Sequence, residues 1–293
     1  MGWRLTSGAS IYGNIVTWSD TFGNGVFMYN LTTENLTWIG HAENSPCIQG
    51  DKIWWNSGNI TVYNISTGKE IEIANVSEPA IYDDNVVYIR SKYANGQPTS
   101  DQNAEYNSLY LYNFSTHKET QLTPYEHAYS SPSIYGNKIV WSRLNQVNSS
   151  EWSRNISIYD IPTKRVSDIS RTGKASSGKI YGNIVVWVEQ ENESRNIYMR
   201  DIAKHETRQV TFDGNSIFPD IYGDRIVWLR DYWAGNNGSS GIYMYNISTD
   251  ATTYITNCID VPVIYDDKIV YIGPGNDTED QAADCIYLYN LSA

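Results

Sequence analysis

The stretch Ser131–Trp141, SPSIYGNKIVW, returns seven times along the 293 residues, and no other feature restricts the fold so tightly. Each copy is marked by an isoleucine: Ile11, Ile48, Ile81, Ile134, Ile180, Ile221 and Ile264. Seven positions later every copy carries an aromatic ring: Trp18, Trp55, Tyr88, Trp141, Trp187, Trp228 and Tyr271. Between the two stands Gly-Asn, Gly-Asp or Asp-Asp, from Gly13 and Asn14 to Asp266 and Asp267. Such pairs accept positive φ and make tight hairpin turns. The flanks are β-branched and aromatic, as strands prefer. Each copy therefore reads as strand a, a tight turn, then strand b.

A second motif follows each first one, as LYLYNFST at Leu109 and IYMYNIST at Ile242. It reads as strand c ending in a polar turn. A short strand d follows, for example Glu119–Leu122 and Thr207–Val210. Four strands in 293/7, or about 42, residues is the period of a propeller blade. Proline stands two positions before the key isoleucine in five copies, at Pro46, Pro79, Pro132, Pro219 and Pro262. It cannot donate to a ladder, so strand a is an edge strand. The expectation is all-β: a seven-bladed β-propeller of four-stranded antiparallel blades, a single domain over residues 1–293. The chain stops after the seventh strand c, and Trp3–Thr6 offers a spare outer strand. Pairing it with the last blade would close the ring and remove an exposed edge.

The formal charge is −12, which disfavours nucleic acid and anionic membrane as partners. No apolar run reaches the length of a membrane span, and no signal peptide is visible. Twenty-four Tyr and ten Trp against five Phe suit rings that fill inter-blade space and keep a polar handle. Thirteen Asn-x-Ser/Thr sequons occur, where composition alone gives roughly five. Those at Asn30, Asn64, Asn113, Asn246 and Asn290 share one turn position, where Asn is ordinary turn chemistry. The others point to an extracellular, glycosylated surface. Of the three cysteines, Cys258 enters the last blade and Cys285 ends its b–c loop, so a disulfide between them is expected, with Cys47 unbridged.

The a–b and c–d turns are short, so all variation in length falls in the b–c and d–a connections at the other end of the blades. Variable loops on a rigid scaffold are where binding resides. The longest insertions carry aromatic and polar side chains, and these are the expected ligand-binding residues: Tyr93, Tyr125, Glu151, Trp152, Arg154, Asp231, Tyr232 and Trp233. No nucleophile elbow, zinc motif, phosphate loop or dinucleotide fingerprint occurs. His41, His117, His127 and His205 lack metal spacing, and the acidic loop Asp277–Asp284 lacks the alternating ligands of a calcium loop. No catalytic residue, metal or cofactor is assigned, and the chain is expected not to be an enzyme.

The recurring IYGN/DxIVW followed by IYxYNIST resembles the propeller repeats of cell-surface and surface-layer-type proteins of methanogenic archaea, and more distantly TolB-like propellers. The likeness spans all seven units. It implies an extracytoplasmic interaction or structural module; the chain is expected to be a monomer as an isolated domain and to bind a protein or a glycan at the cell surface. The alternative is a glycoside hydrolase or polysaccharide lyase with its site where the channel opens among the long loops.

Overall fold

The structure is a computed structural model that describes residues 8–20, 25–42, 44–56, 59–74, 76–93, 95–99, 106–126, 129–147, 152–230, 240–258, 260–274 and 284–292. These residues form antiparallel sheets only, one per sequence repeat, and the fold is a seven-bladed β-propeller. The blades span residues 10–41, 47–73, 77–121, 129–168, 175–209, 216–257 and 263–290. Within each, the strands follow chain order from inner a to outer d. Blade 3 adds the short strand Pro98–Thr99 against the end of its b strand. Blade 7 has three described strands, and the closing segment expected at Trp3–Thr6 lies outside the described residues. No helix among the described residues is long and apolar enough to cross a membrane.

The turn chemistry follows the sequence. The first residue of the a–b pair takes a left-handed φ whether it is Gly136 (57°) or Asp83 (50°). In the c–d turns the Asn or Asp that ends strand c folds its side chain back on the turn. Oδ1 of Asn64 accepts from Thr67 N at 2.8 Å, that of Asn113 from Thr116 N at 2.9 Å, and that of Asp160 from Thr163 N at 3.0 Å. This is why NIST and its variants recur.

The chain divides into two compact units, residues 74–219 with blades 3 to 5, and residues 1–73 with 220–293. In each unit the key isoleucine and ring of one blade pack on the preceding blade. Ile134 and Trp141 meet Val87 and Leu109, and Ile180 and Trp187 meet Val140 and Ile156. In the other unit Ile11 and Trp18 meet Val270 and Ile272, and Ile48 and Trp55 meet Val26 and Ile39. Trp55 needs Gly40 opposite, since a Cβ there would lie 2.7 Å from its ring. Truncating one such buried Trp to Ala would cost about 3–5 kcal/mol.

The inner strands carry two devices that the repeat pattern did not reveal. The residue before the key isoleucine reaches to the next blade. Ser10 Oγ accepts from Ile48 N (3.4 Å), Ser133 Oγ from Ile180 N (3.3 Å) and Asp220 Oδ2 from Ile264 N (3.0 Å). The tyrosine after that isoleucine packs, with its ring tilted, on its counterpart in the neighbouring blade. Ring centroids are 4.8 Å apart for Tyr82 and Tyr135 and 4.7 Å for Tyr135 and Tyr181. In the other unit Tyr222 and Tyr265 lie at 4.7 Å and Tyr12 and Tyr265 at 4.4 Å.

The expected Cys258–Cys285 disulfide is absent, and both residues are thiols. Cys258 is tied to blade 6, where its N–H donates to Ser240 O, and its thiol is buried, which pushes its pKa up to about 12. Cys285 sits in the blade 7 ladder opposite Gly273. The two residues share an end of the blades but belong to different blades, and a disulfide needs Cβ atoms about 4 Å apart.

Candidate functional site

The expected binding residues that the structure describes all lie in blades 3 and 4 and the connection between them. Tyr125, in the connection from blade 3 to blade 4, is committed to its surroundings. The Lys92 ammonium lies 4.1 Å from its ring centroid, and its hydroxyl is 3.4 Å from that of Tyr110. Burial, then the Tyr125 hydroxyl, push Tyr110 up to about 12. The next residue, Glu126, exchanges both backbone hydrogen bonds with Asn107 of blade 3, at 2.7 and 2.9 Å. Its carboxylate accepts from Arg143 of blade 4 at 2.6 and 2.9 Å. Both bonds land on Oε2, and this charge-assisted pair fixes the connection between the two blades. Tyr93 follows the b strand of blade 3 in a turn closed by Gly96 N donating to its carbonyl, with its side chain 41% exposed.

Trp152 and Arg154 are not on a loop. The b and c strands of blade 4, Lys138–Gln146 and Trp152–Asp160, pair out to Gln146 opposite Trp152. Most of the blade 4 insertion over 144–155, expected to be loop, is thus an extended hairpin. Blade 5 does the same over 189–196, with only Asn192 and Glu193 in the turn. Trp152, Arg154 and Ile156 alternate onto one face of their strand. Ile156 is packed against Ala175 and Trp187 of blade 5, which directs the row towards that blade. Trp152, at the tip, is 44% exposed, whereas the ring of every repeat through blade 6 is buried.

The connection 171–174 lies against this row. Arg154 N donates to Gly173 O at 2.7 Å, Gly173 N donates to Asn155 Oδ1 at 3.0 Å, and Arg154 and Lys174 form a parallel bridge. Gly173 has φ +78°, and a Cβ there would stand 2.9 Å from that of Ser153. Beneath it lies Glu189, 3% exposed. Its Oε2 accepts from Trp187 Nε1 at 2.7 Å, Oε1 has no partner among the described residues, and burial holds the carboxyl above its usual range. Neither Glu189 nor the buried Trp187 was singled out as functional by sequence reasoning, and the repeat gives no sign that blade 5 carries a carboxylate there.

Glu151, Asp231, Tyr232 and Trp233 lie outside the described residues. Among the described residues no group of three or more His, Cys, Asp and Glu side chains is placed to hold a metal ion. The fold also accounts for many sequons. Asn30, Asn64, Asn113 and Asn246 are turn caps, Asn155 holds Gly173, and the sequon at Asn59 runs into buried Ile60 and Thr61. The sequons at Asn35 and Asn192 are exposed at all three residues.

No family model matches the chain, and no curated protein matches it. Solved structures do. The β-propeller domain of the Trilobed protease of Pyrococcus furiosus matches at 13% identity, over 99% of this chain and 96% of that one, with a TM-score of 0.75. An oligogalacturonate lyase of Vibrio parahaemolyticus matches at 12% identity, over 99% and 90%, with a TM-score of 0.72. TolB of Acinetobacter baumannii matches at 12% identity, over 94% and 76%, with a TM-score of 0.57. The chain is a propeller with distant TolB-like and peptidase-propeller neighbours. The likeness corrects one expectation. This fold occurs in a lyase, so a propeller without a catalytic sequence motif is no ground for calling the chain a non-enzyme.

Proposed function

We propose that this propeller recognises an oligosaccharide at the loop end of blades 3 to 5, with Trp152 as the stacking platform. The observation that carries the reading is the position of Trp152. The repeat rings through blade 6 fill the blade interfaces, but this indole stands at the end of a paired strand with nearly half its surface in solvent. A large amphipathic ring held out on regular structure presents its face to a sugar at little conformational cost. Tyr93 offers a second exposed ring on blade 3, and Arg154 a cationic donor on the same strand face as Trp152. The oligogalacturonate lyase shows that a chain of this fold acts on a carbohydrate, which is compatible with the reading.

The test is a glycan array on the purified chain, repeated with Trp152→Ala and with Phe212→Ala as a control for an exposed ring elsewhere in the unit. Binding to a defined oligosaccharide class that Trp152→Ala removes and Phe212→Ala keeps is the expected result. Hits are then incubated with the protein and their products analysed, which reads turnover directly. An array with no hits, or hits indifferent to Trp152→Ala in a folded variant, would overturn the reading.

A further inference from the structure

We infer that the sugar bound beside Trp152 is anionic, a uronate-type oligosaccharide whose carboxylates meet a cluster of three cations. The inference rests on the reading above and names the ligand class of that site. The cations are Arg154 on the c strand of blade 4, and Arg171 and Lys174 on the connection that crosses it. Arg154 and Lys174 are bridge partners, so their backbones lie about 5 Å apart. Arg171 is three residues before Lys174 on a segment fixed at both ends, by Ser170 N donating to Ile156 O and by Gln190 N donating to Lys174 O. All three side chains are exposed.

In blades 3 and 4, Arg90 is paired with Glu119 and Arg143 with Glu126, both at 2.6 Å, and Lys138 with Asp160 at 3.1 Å. Among the described residues no carboxylate stands within ion-pair distance of Arg154, Arg171 or Lys174. Three like charges gathered on adjacent backbone repel one another, and an anion relieves that repulsion. A planar guanidinium on the strand face that carries an exposed indole suits a ligand with a flat apolar face and a carboxylate at its rim. A pyranose uronate has both. A neutral sugar would use the indole and leave the cations idle.

The net charge of −12 opposes an anionic ligand at long range. At physiological ionic strength screening confines that field to about 8 Å, so the local cluster decides. Low salt should strengthen both terms, and the local attraction should dominate the measured affinity.

The experiment is calorimetric titration of the purified chain with an oligogalacturonide and with a neutral galacto-oligosaccharide of equal length, the folded state of each variant being checked by its melting curve. The acidic ligand is expected to bind and the neutral one to bind at least about tenfold more weakly. The double charge reversal R154E/K174E is expected to weaken the acidic ligand by about tenfold or more, and W152A to weaken both. Equal binding of the two ligands, lost in W152A and kept in R154E/K174E, would overturn the anionic assignment and leave the sugar site standing. Acidic binding indifferent to both variants would overturn the placement of the site. No binding of either ligand, with an empty glycan array, would overturn both readings.

Discussion

Replacing Asp220 with Ala removes the acceptor that joins the inner strand of blade 6 to that of blade 7. Ile264 N donates to Asp220 Oδ2 at 3.0 Å, and Ile264 is buried. A hydrogen bond to a charged acceptor contributes roughly 1.5–3 kcal/mol, and a buried N–H left without a partner costs a similar amount. The expected loss is therefore about 2 kcal/mol. At about 2.1 cal/mol/K per residue, a chain of 293 residues has an unfolding entropy near 0.6 kcal/mol/K, so the melting temperature should fall by about 3 °C. Asp220→Ser supplies the neutral acceptor that Ser10 and Ser133 use in the same position, at 3.4 and 3.3 Å. It should restore about half of the loss, since a neutral acceptor contributes about 1 kcal/mol. Calorimetry and urea unfolding of the three proteins measure this, with the urea slope unchanged. The reasoning fails if Asp220→Ala unfolds within about 0.5 kcal/mol of the parent, or if Asp220→Ser is no better than Asp220→Ala.

Two carboxyl groups give pH predictions of opposite sign. Asp160 is held down to about 2, first by the Thr163 hydroxyl and N–H and then by Lys138, so its contribution is present above the ordinary carboxylate range and lost as pH falls towards 2. Asp160→Asn keeps the turn acceptor, as Asn64 and Asn113 do, and its urea midpoint should vary less with pH between about 4 and 2; parallel curves for parent and variant contradict this. Glu189 is shifted upward by burial, so its stabilising neutral form is lost as pH rises through its raised pKa. Glu189→Gln should equal or exceed the parent in stability at pH 7 and lose that advantage towards pH 4, read from the same urea series; a variant less stable at pH 7 than at pH 4, relative to the parent, refutes it.

The blades were legible because the repeat states its own period. Each isoleucine, turn pair and ring occupies one structural place, and any other fold would leave six buried rings unexplained. The inner-strand links were not legible. A sequence does not show which neighbouring N–H lies in reach of Ser10, Ser133 and Asp220. Trp152 and Arg154 were expected on a loop and stand on a strand. The alternation Trp152, Arg154, Ile156 carried the strand signal, but polar neighbours such as Ser149 and Ser150 masked it. The cysteine pairing failed for a related reason. Being at one end of the blades limits two thiols to the same rim but does not choose the blade each belongs to. Arg171 and Lys174 were passed over because their nearness to Arg154 depends on how the connection 171–174 crosses its strand, which only the three-dimensional structure shows.

The account turns on where a sugar sits, and the crystal structure of the chain with an oligosaccharide selected from the array tests that most directly. It should show a sugar ring stacked on the Trp152 indole, with an acidic group of the ligand within hydrogen-bond reach of Arg154 or Lys174. A ligand seated away from blades 3 to 5, or one that reaches this hairpin while leaving the indole bare, would contradict it.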